Sequence, residues 1–509
     1  MYPANWAITQ PDAPAVVIAE TGDQTTYAEL DRESNRVAQY LRSVGCDIGD
    51  HLALFMGNTA EVFPVAWAAQ RAGLYYTPIN WHLTPEETAY VVADSGAKVL
   101  IADAEHAGMA ADLVGQGSLI VAVHGEDVPG CQRLEEVLES MPDHPVADET
   151  EGADMIYTSG TTGTPKGGVR PLPGLRPGDD NPKLVALPAR FGFDHTSVYL
   201  SPGAPLYHGA PLRFSMATHR FGGTAVVMQR FDSLEALRAI EAHGVTHSQW
   251  VPAMFVRLLR LSEADRSRFD LSSHRVAIHA AAPCPPSVKR DMLAWWGPII
   301  HEYYGASEGG IFTHITPEEW LQHPGSVGRP IIGRPHIVGN DGHELPRGEV
   351  GLIYSERGAP VAYHNDAEKT AAAHAANGWS TVGDLGHLDD DGYLYLSSRR
   401  TDLIISGGVN IYPKESEDVL SGHPAVADVA VIAVPHDEYG QEVKAVVELH
   451  DPDGATDELA AELIHYCREH LAAYKCPRSV DFDRQLPRVS SGKLYKQRLL
   501  ERYWAGVAH

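Results

Sequence analysis

Residues 157–167 read Tyr157-Thr-Ser-Gly-Thr-Thr-Gly-Thr-Pro-Lys-Gly167. Thr158, Ser159, Thr161, Thr162 and Thr164 supply hydroxyl donors, while Gly160 and Gly163 let backbone amides close on an anion. Lys166 adds a positive charge. A surface loop rich in Ser, Thr and Gly could have this composition, but the Pro-Lys-Gly ending and the apolar Met155-Ile156 entry favour phosphate binding. It is not a Walker loop: GxxxxGK[ST] cannot be laid on it, because Lys166 follows Pro165 and precedes Gly167. His208 stands alone in Pro205-Leu-Tyr-His-Gly209. His243 and His247 have zinc-like HxxxH spacing, yet Gly244 and the lack of a nearby cysteine or carboxylate to complete a tetrahedral set argue against a metal. Lys493 follows Ser491-Gly492, which is either an ordinary exposed turn or a flexible mount for a charge.

The elements that must hold these residues alternate between helix and strand. Thr26-Tyr-Ala-Glu29 reads as a capping box, and Leu30, Val37, Leu41 and Val44 then share one helical face up to Gly45. Thr84-Pro-Glu-Glu87 repeats the device, its helix stopping near Gly96 before the apolar strand Lys98–Ala102. Phe231 to Gly244 and Pro285 to Trp296 read as helices, with a strand over Arg275 to Ala281. Such alternation predicts an α/β fold. From Gly325 to Tyr395, turns at Asp341-Gly342, Arg347-Gly348, Asn377-Gly378 and Asp391-Gly392 predict a small β-rich unit. Strands at 426–434 and 442–449 and a helix at 457–471 then predict a mobile α+β C-terminal domain of roughly 110 residues. The expected domains are 1–401 and 402–509. Pro171 to Pro182 reads as a mobile surface loop.

With 509 residues the chain exceeds one ordinary core. Asp plus Glu (67) exceed Lys plus Arg (40) by 27, a field that repels nucleic-acid phosphates. No basic-then-apolar leader and no uninterrupted apolar run of membrane length is seen, so no membrane span is expected. The 5 cysteines are odd in number and never CxxC, which fits a reduced, cytoplasmic enzyme. A homodimer is among the expected partners.

The 157–167 segment resembles the phosphate loop of the adenylate-forming superfamily: acyl- and aryl-CoA synthetases, nonribosomal adenylation domains and firefly-type luciferases. Tyr304-Gly-Ala-Ser-Glu308, Gly325–Pro330, Gly378–Asp384, Arg399-Arg-Thr-Asp402 and Pro487–Lys493 match in the family's order, across essentially the whole chain. A free-standing bacterial fatty-acyl-CoA synthetase is the nearest likeness. The resemblance implies that Thr158, Ser159, Gly160, Thr161, Thr162, Gly163 and Lys166 hold the phosphates of ATP. Glu308, with Thr158 as a second ligand, would hold Mg²⁺. Tyr304 would stack on adenine within Tyr304-Gly305-Ala306-Ser307, and the backbone of Ala281, Ala282 and Pro283 would read its edge. Asp384 would accept both ribose hydroxyls, helped by Arg399. His208 would lie between nucleotide and carboxylate pockets. Lys493 would bridge carboxylate and α-phosphate oxygens, and Asp402 would be the hinge on which the C-terminal domain turns to present Ser406-Gly407-Gly408 to coenzyme A.

Two departures from the family pattern stand out. Val382 replaces a frequent Thr, and Gly167-Gly-Val-Arg170-Pro follows Lys166 where a Thr-His pair is common. The implied reaction is ATP-dependent carboxylate–CoA ligation through acyl-AMP. Coenzyme A is favoured over a carrier protein because no carrier domain follows before His509, and because Tyr474–Pro477 and Pro487–Lys493 look like free-standing CoA synthetases. The expected pocket segments, His208–Phe214, Gln249–Met254, Ala280–Ala282 and Gly305–Ile311, are mainly apolar and small. No positive charge is evident in them for a second carboxylate. A medium- or long-chain fatty acid, or another bulky hydrophobic acid, is therefore expected; an aryl or steroid-type acid is the alternative. A stand-alone carrier-loading enzyme and a non-enzymatic nucleotide sensor are the rival readings. The sensor predicts broken catalytic positions, whereas Lys166, Glu308, Asp384, Arg399 and Lys493 are all present.

Overall fold

The computed structural model describes residues 2–115, 119–158, 165–179, 182–399, 402–406, 409–436, 439–488 and 494–504. The chain divides into two compact units. One comprises Met1–Trp250, Ser262–Ala277 and Pro360–Ala371, and the other Val251–Leu261, Ile278–Ala359 and Ala372–His509.

In the first unit both capping boxes form. The Thr26 hydroxyl accepts from the Glu29 amide and the Glu29 carboxylate accepts from the Thr26 amide, starting the helix Tyr27–Ser43. Thr84 and Glu87 do the same for Pro85–Ser95, which ends on Gly96 in the left-handed region. These helices flank a parallel sheet ordered Gln132–Arg133, Ile120–Val123, Ala97–Ala102, His51–Phe55, Tyr75–Pro78 and Ala153–Asp154. Its central strands are apolar over Leu52–Phe55 and Val99–Ala102 because both faces are covered there. Leu52 and Leu54 enter one apolar cluster with Trp67 and Leu41. Ala53 and Phe55, pointing the other way, join Leu100 and Val91 in a second. A further group of strands in this unit runs Gln24–Thr26, Pro14–Ile18, Thr224–Val227, Val198–Ser201 and His247–Trp250.

Two buried histidines of this unit tie acid sensitivity to the fold. His219 Nδ1 accepts from the Trp67 indole at 3.1 Å, and its Nε2 donates to the Ala15 carbonyl at 3.0 Å. His274 Nε2 lies 2.6 Å from the Ser248 hydroxyl, which itself accepts from Trp250 and so donates to the imidazole. Burial pushes both down to about 3 from 6.5. Between those values the unfolded chain binds more protons, so stability falls as pH drops below 6.5. Each histidine contributes up to about 1.4 kcal/mol per pH unit. The urea midpoint is expected to fall steadily from about pH 6 to about pH 4, and a flat midpoint would contradict this assignment.

In the second unit Ile300–Ala306, Gly309–Ile315 and Arg329–Ile332 form antiparallel pairs. Arg334–Val338, Gly351–Glu356, Asp384–Leu388 and Leu394–Arg399 form a four-stranded antiparallel sheet. The Asp341-Gly342 and Asp391-Gly392 turns carry glycines at φ 81° and 83°, as turn chemistry requires. The β-rich unit expected over 325–395 is not continuous, however. Ala367–Ala372 is a helix, and residues 360–371 belong to the first unit. The Asp366 carboxylate accepts from the Lys369 amide and initiates it.

The C-terminal strands Val426–His436, Gly440–Leu449 and Ser479–Phe482 carry apolar clusters on both faces. Val429 and Val431 pack with the helix Asp457–His470 through Leu463, while Ala430 and Ile432 pack with Lys496–Trp504 through Leu499. Within 171–179 no helix or strand forms; the Glu151 amide donates to the Leu175 carbonyl at 2.7 Å, and Arg176–Asp179 closes a turn. Among the described residues no helix is long and apolar enough to cross a membrane.

Candidate functional site

In the first unit the strands Ile156–Thr158 and Lys166–Gly168 pair antiparallel, with Lys166 opposite Thr158. The backbone therefore brackets the phosphate-loop sequence with its hydroxyl-bearing entry and its cationic exit face to face. Ser159, Gly160, Thr161, Thr162 and Gly163 lie outside the described residues, and of Thr158 only the backbone is described. A third segment supports this hairpin: the Val169 amide donates to the Ala362 carbonyl and His364 to Gly167. Lys166 Nζ lies 3.1 Å from the Asp366 carboxylate, which holds it charged. Asp366 was not legible as a partner 200 positions away. The Tyr157 hydroxyl donates to Asp94 at 2.6 Å, fixing the strand on its other side.

His208 precedes the helix Gly209–Phe221 without capping it through its side chain. Its Nε2 is shielded from water and has no hydrogen-bond partner among the described residues. Burial, with His82 nearby, pushes it down to about 4. The ring is thus neutral at neutral pH and can act by hydrogen bonding, not by charge. Tyr207 lies against it with ring centroids 4.5 Å apart, and Trp81 meets Tyr207 edge-on.

The segment His208–Phe214 is only partly as read. Phe214 is core, buried and packed on Phe191, Phe193 and Tyr199. The same segment does contain a cation, Arg213, contrary to the expectation that none is evident. Its guanidinium is paired with Asp154 at 2.6 Å. His247 is occupied at both ring nitrogens, by the Phe191 carbonyl and the Thr246 hydroxyl.

In the second unit the motif Tyr304-Gly-Ala-Ser-Glu308 occupies the end of one strand and a hairpin tip. Ala306 pairs with Gly309, leaving Ser307 and Glu308 as the connecting residues. Glu308 therefore does not cap a helix, the structural alternative for an isolated carboxylate here. Gly305 is required by packing, since a Cβ would come within 2.4 Å of the Phe312 ring. The Tyr304 hydroxyl donates to Asp384 at 2.6 Å, bringing together the two residues expected to read the nucleoside. Asp384 is held at the start of its strand opposite Arg399, of which only the backbone is described. Beside Val382, the Thr381 hydroxyl donates to Ile353 and accepts from the Gly383 amide, so a hydroxyl one position earlier secures the turn into Asp384.

Ala281 has φ 75°, an uncommon left-handed conformation for alanine, and Ala282 and Pro283 follow it. Strain of this kind gathers where backbone groups must face a ligand. Ala281→Gly is expected to raise folding stability by roughly 0.5–1 kcal/mol, the left-handed penalty less the entropy that glycine adds to the unfolded chain. Thermal unfolding checks it, and a lower midpoint would contradict the strain.

A buried ionic group missed in the sequence spans these elements. Lys289 Nζ lies 2.6 Å from Glu302, His279 Nε2 lies 3.3 Å from the same oxygen, and Lys289 stacks over Trp320. Glu302 stands two residues before Tyr304 and His279 two before Ala281, so the network braces both backbones. The pair holds the Glu302 carboxyl down at about 2 despite its burial.

Asp402 lies beside a cavity of about 580 Å³, which Leu403, Val431, Ala433, Lys496 and Trp504 also line. Gly407, Gly408 and Lys493 lie outside the described residues. Among the described residues no cluster of three His, Cys, Asp or Glu could hold a metal. Glu308 would supply a carboxylate oxygen, the donor type that suits Mg²⁺ with its remaining waters.

A family model described as AMP-binding enzyme matches residues 4–361, and one described as AMP-binding enzyme C-terminal domain matches 415–493. The chain is 31% identical over 505 residues to a long-chain-fatty-acid–CoA ligase, FadD13, of Mycobacterium tuberculosis, covering 98% of this chain and 97% of the relative. It is 33% identical to a feruloyl-CoA synthase of Amycolatopsis sp, covering 99% and 98%. Among solved structures, ATP-bound MatB from Rhodopseudomonas palustris is similar with a TM-score of 0.83 and 29% identity, covering 99% of each chain.

Proposed function

The chain belongs to the AMP-binding enzyme family, and from that premise we propose that it is an ATP-dependent acid–thiol ligase making acyl-CoA from a bulky hydrophobic acid. A carboxylate oxygen attacks the α-phosphorus of ATP, the bond to pyrophosphate breaks, and acyl-AMP forms. The thiolate of coenzyme A then adds to the acyl carbon and AMP leaves with the bridging oxygen. No residue forms a covalent bond with substrate, so catalysis is positioning and electrostatics.

The 159–163 amides and hydroxyls, with Thr158 and Lys166, receive the phosphates. Mg²⁺, held by Glu308 and Thr158, would neutralise charge on the triphosphate. Tyr304 and the Ala281–Pro283 backbone take adenine, while Asp384 with Arg399 takes the ribose. His208 donates a neutral hydrogen bond beside the acyl carboxylate. Residues 402–509 form the moving domain, which turns at Asp402 and carries Lys493 and the Gly407-Gly408 face.

The observation that carries this reading is the Tyr304–Asp384 hydrogen bond. It leaves the carboxylate anchored as an acceptor for a vicinal diol. The pairing of Arg213 with Asp154 supports an acid without a second carboxylate, because the one cation in the His208–Phe214 segment already has a counter-charge. The acids named for two relatives, a long-chain fatty acid and ferulate, are largely apolar, whereas the 2-succinylbenzoate named for a Bacillus licheniformis relative at 31% identity carries a second carboxylate. The feruloyl relative, at 33% identity, also supports the aryl-acid reading. A panel of fatty, aryl and short acids tested for CoA-dependent AMP release decides between them. Highest kcat/KM on fatty chains supports the first reading, highest kcat/KM on hydroxycinnamates the second, and preference for acetate or a dicarboxylate overturns both.

A further inference from the structure

Asp154 sits two residues before the strand Ile156–Thr158 that enters the phosphate loop. Arg170 sits two residues after the strand Lys166–Gly168 that leaves it. Arg213 lies one turn into the helix that begins just after His208. These three residues meet. Arg170 donates to one Asp154 oxygen at 2.7 Å, and Arg213 donates to the other through two nitrogens, at 2.6 and 3.0 Å.

The carboxylate is 8% exposed, against 35% and 30% for the two arginines. Both of its oxygens are taken by a guanidinium, and each guanidinium comes from a different piece of the site. Arg213 is further confined, because its guanidinium carbon lies 3.3 Å from where a Gly209 Cβ would be. The Arg170 carbonyl is in turn pinned by the Tyr75 hydroxyl at 2.9 Å.

We propose that Asp154 is a positioning residue that clamps both arms of the phosphate-loop hairpin to the helix that begins just after His208. The sequence departure at Arg170 is then one jaw of that clamp. Burial alone would raise the Asp154 carboxyl, yet the two guanidiniums hold it down at about 2, so the clamp is ionised at every working pH. Through Arg170 the clamp acts on ATP before any chemistry, and through Arg213 it acts on the placement of His208 for adenylation. The inference rests on the reading of 157–167 as the ATP phosphate loop.

The variants Arg170→Met, Arg213→Met and Asp154→Asn test it, with Arg170→Lys and Arg213→Lys as charge-keeping controls should a methionine variant fold poorly. Calorimetric binding of ATP with Mg²⁺ needs no turnover, so it reads the clamp even if no acid is found to be activated. Failure of the native protein to bind ATP would instead defeat the proposed function. Arg170→Met is expected to weaken ATP about tenfold or more. Arg213→Met is expected to leave ATP affinity within about twofold and to lower kcat for adenylation at least about tenfold. Asp154→Asn should do both, and the lysine controls should fall between. If all variants merely lose thermal stability, and their folded fraction keeps native ATP affinity and kcat, Asp154 is structural and the proposal is overturned.

Discussion

Replacing Lys493 by alanine is expected to lower carboxylate-dependent ATP–pyrophosphate exchange by about 10²–10³-fold. The same variant should form thioester from supplied acyl-AMP and coenzyme A at close to the native rate. The first half-reaction brings two anions together, a carboxylate and a triphosphate. A cation between them lowers that repulsion and stabilises charge as it develops, and comparable donors are worth about 3–4 kcal/mol elsewhere. The second half-reaction begins from a mixed anhydride and has no such encounter. Lys493→Arg keeps the charge but changes its shape, so it should recover only part of the loss. Equal loss of both half-reactions in a folded variant would contradict the division of labour between Lys493 and the Gly407-Gly408 face.

Asp384→Asn should weaken ATP by roughly 10²-fold in kcat/KM. Hydrogen bonds to a charged acceptor are each worth about 1.5–3 kcal/mol, and two ribose hydroxyls would lose one. The amide keeps the carboxylate's size, and Tyr304 can still donate to its oxygen, so the fold should survive. Tyr304→Phe separates the contributions: it removes the 2.6 Å bond to Asp384 but keeps the ring. That variant should cost less than the Asp384 change. The decisive readout is the sugar. Native protein should discriminate ATP from its 2′- and 3′-deoxy forms, and the Asp384 variant should discriminate far less. Undiminished discrimination would remove Asp384 from the ribose site.

Local chemistry was legible in the sequence where the partners are near neighbours. Thr26 and Glu29, or Thr84 and Glu87, are three residues apart, so a capping box can be read without knowing the fold. The apolar runs at 98–102 and 426–434 likewise announce buried strands. The ordered motifs located Tyr304, Glu308 and Asp384 but not their settings. That Glu308 stands on a hairpin tip depends on Ala306 pairing with Gly309, which no periodicity shows. The helix Ala367–Ala372 was missed because the surrounding Gly turns suggested strands, although Asp366 before Ala-Glu-Lys is a starting signal.

The ionic networks were invisible for a different reason. Asp154 meets Arg170 and Arg213 at separations of 16 and 59, and Lys289 meets Glu302 at 13. Each residue alone looks like an ordinary surface charge. Burial turns the Lys289–Glu302 pair into a structural commitment, since removing one partner of a buried pair typically costs about 3–5 kcal/mol. The networks join segments distant in the sequence, where a local motif has no reason to extend.

Oxygen tracing addresses the central claim at its root. An acid labelled with ¹⁸O in both carboxylate oxygens is turned over with ATP and coenzyme A, and the products are analysed by mass. Attack of the carboxylate on the α-phosphorus must leave one labelled oxygen in AMP and none in pyrophosphate. AMP without label, or label in inorganic phosphate, would show that the acid is not activated as an acyl-adenylate.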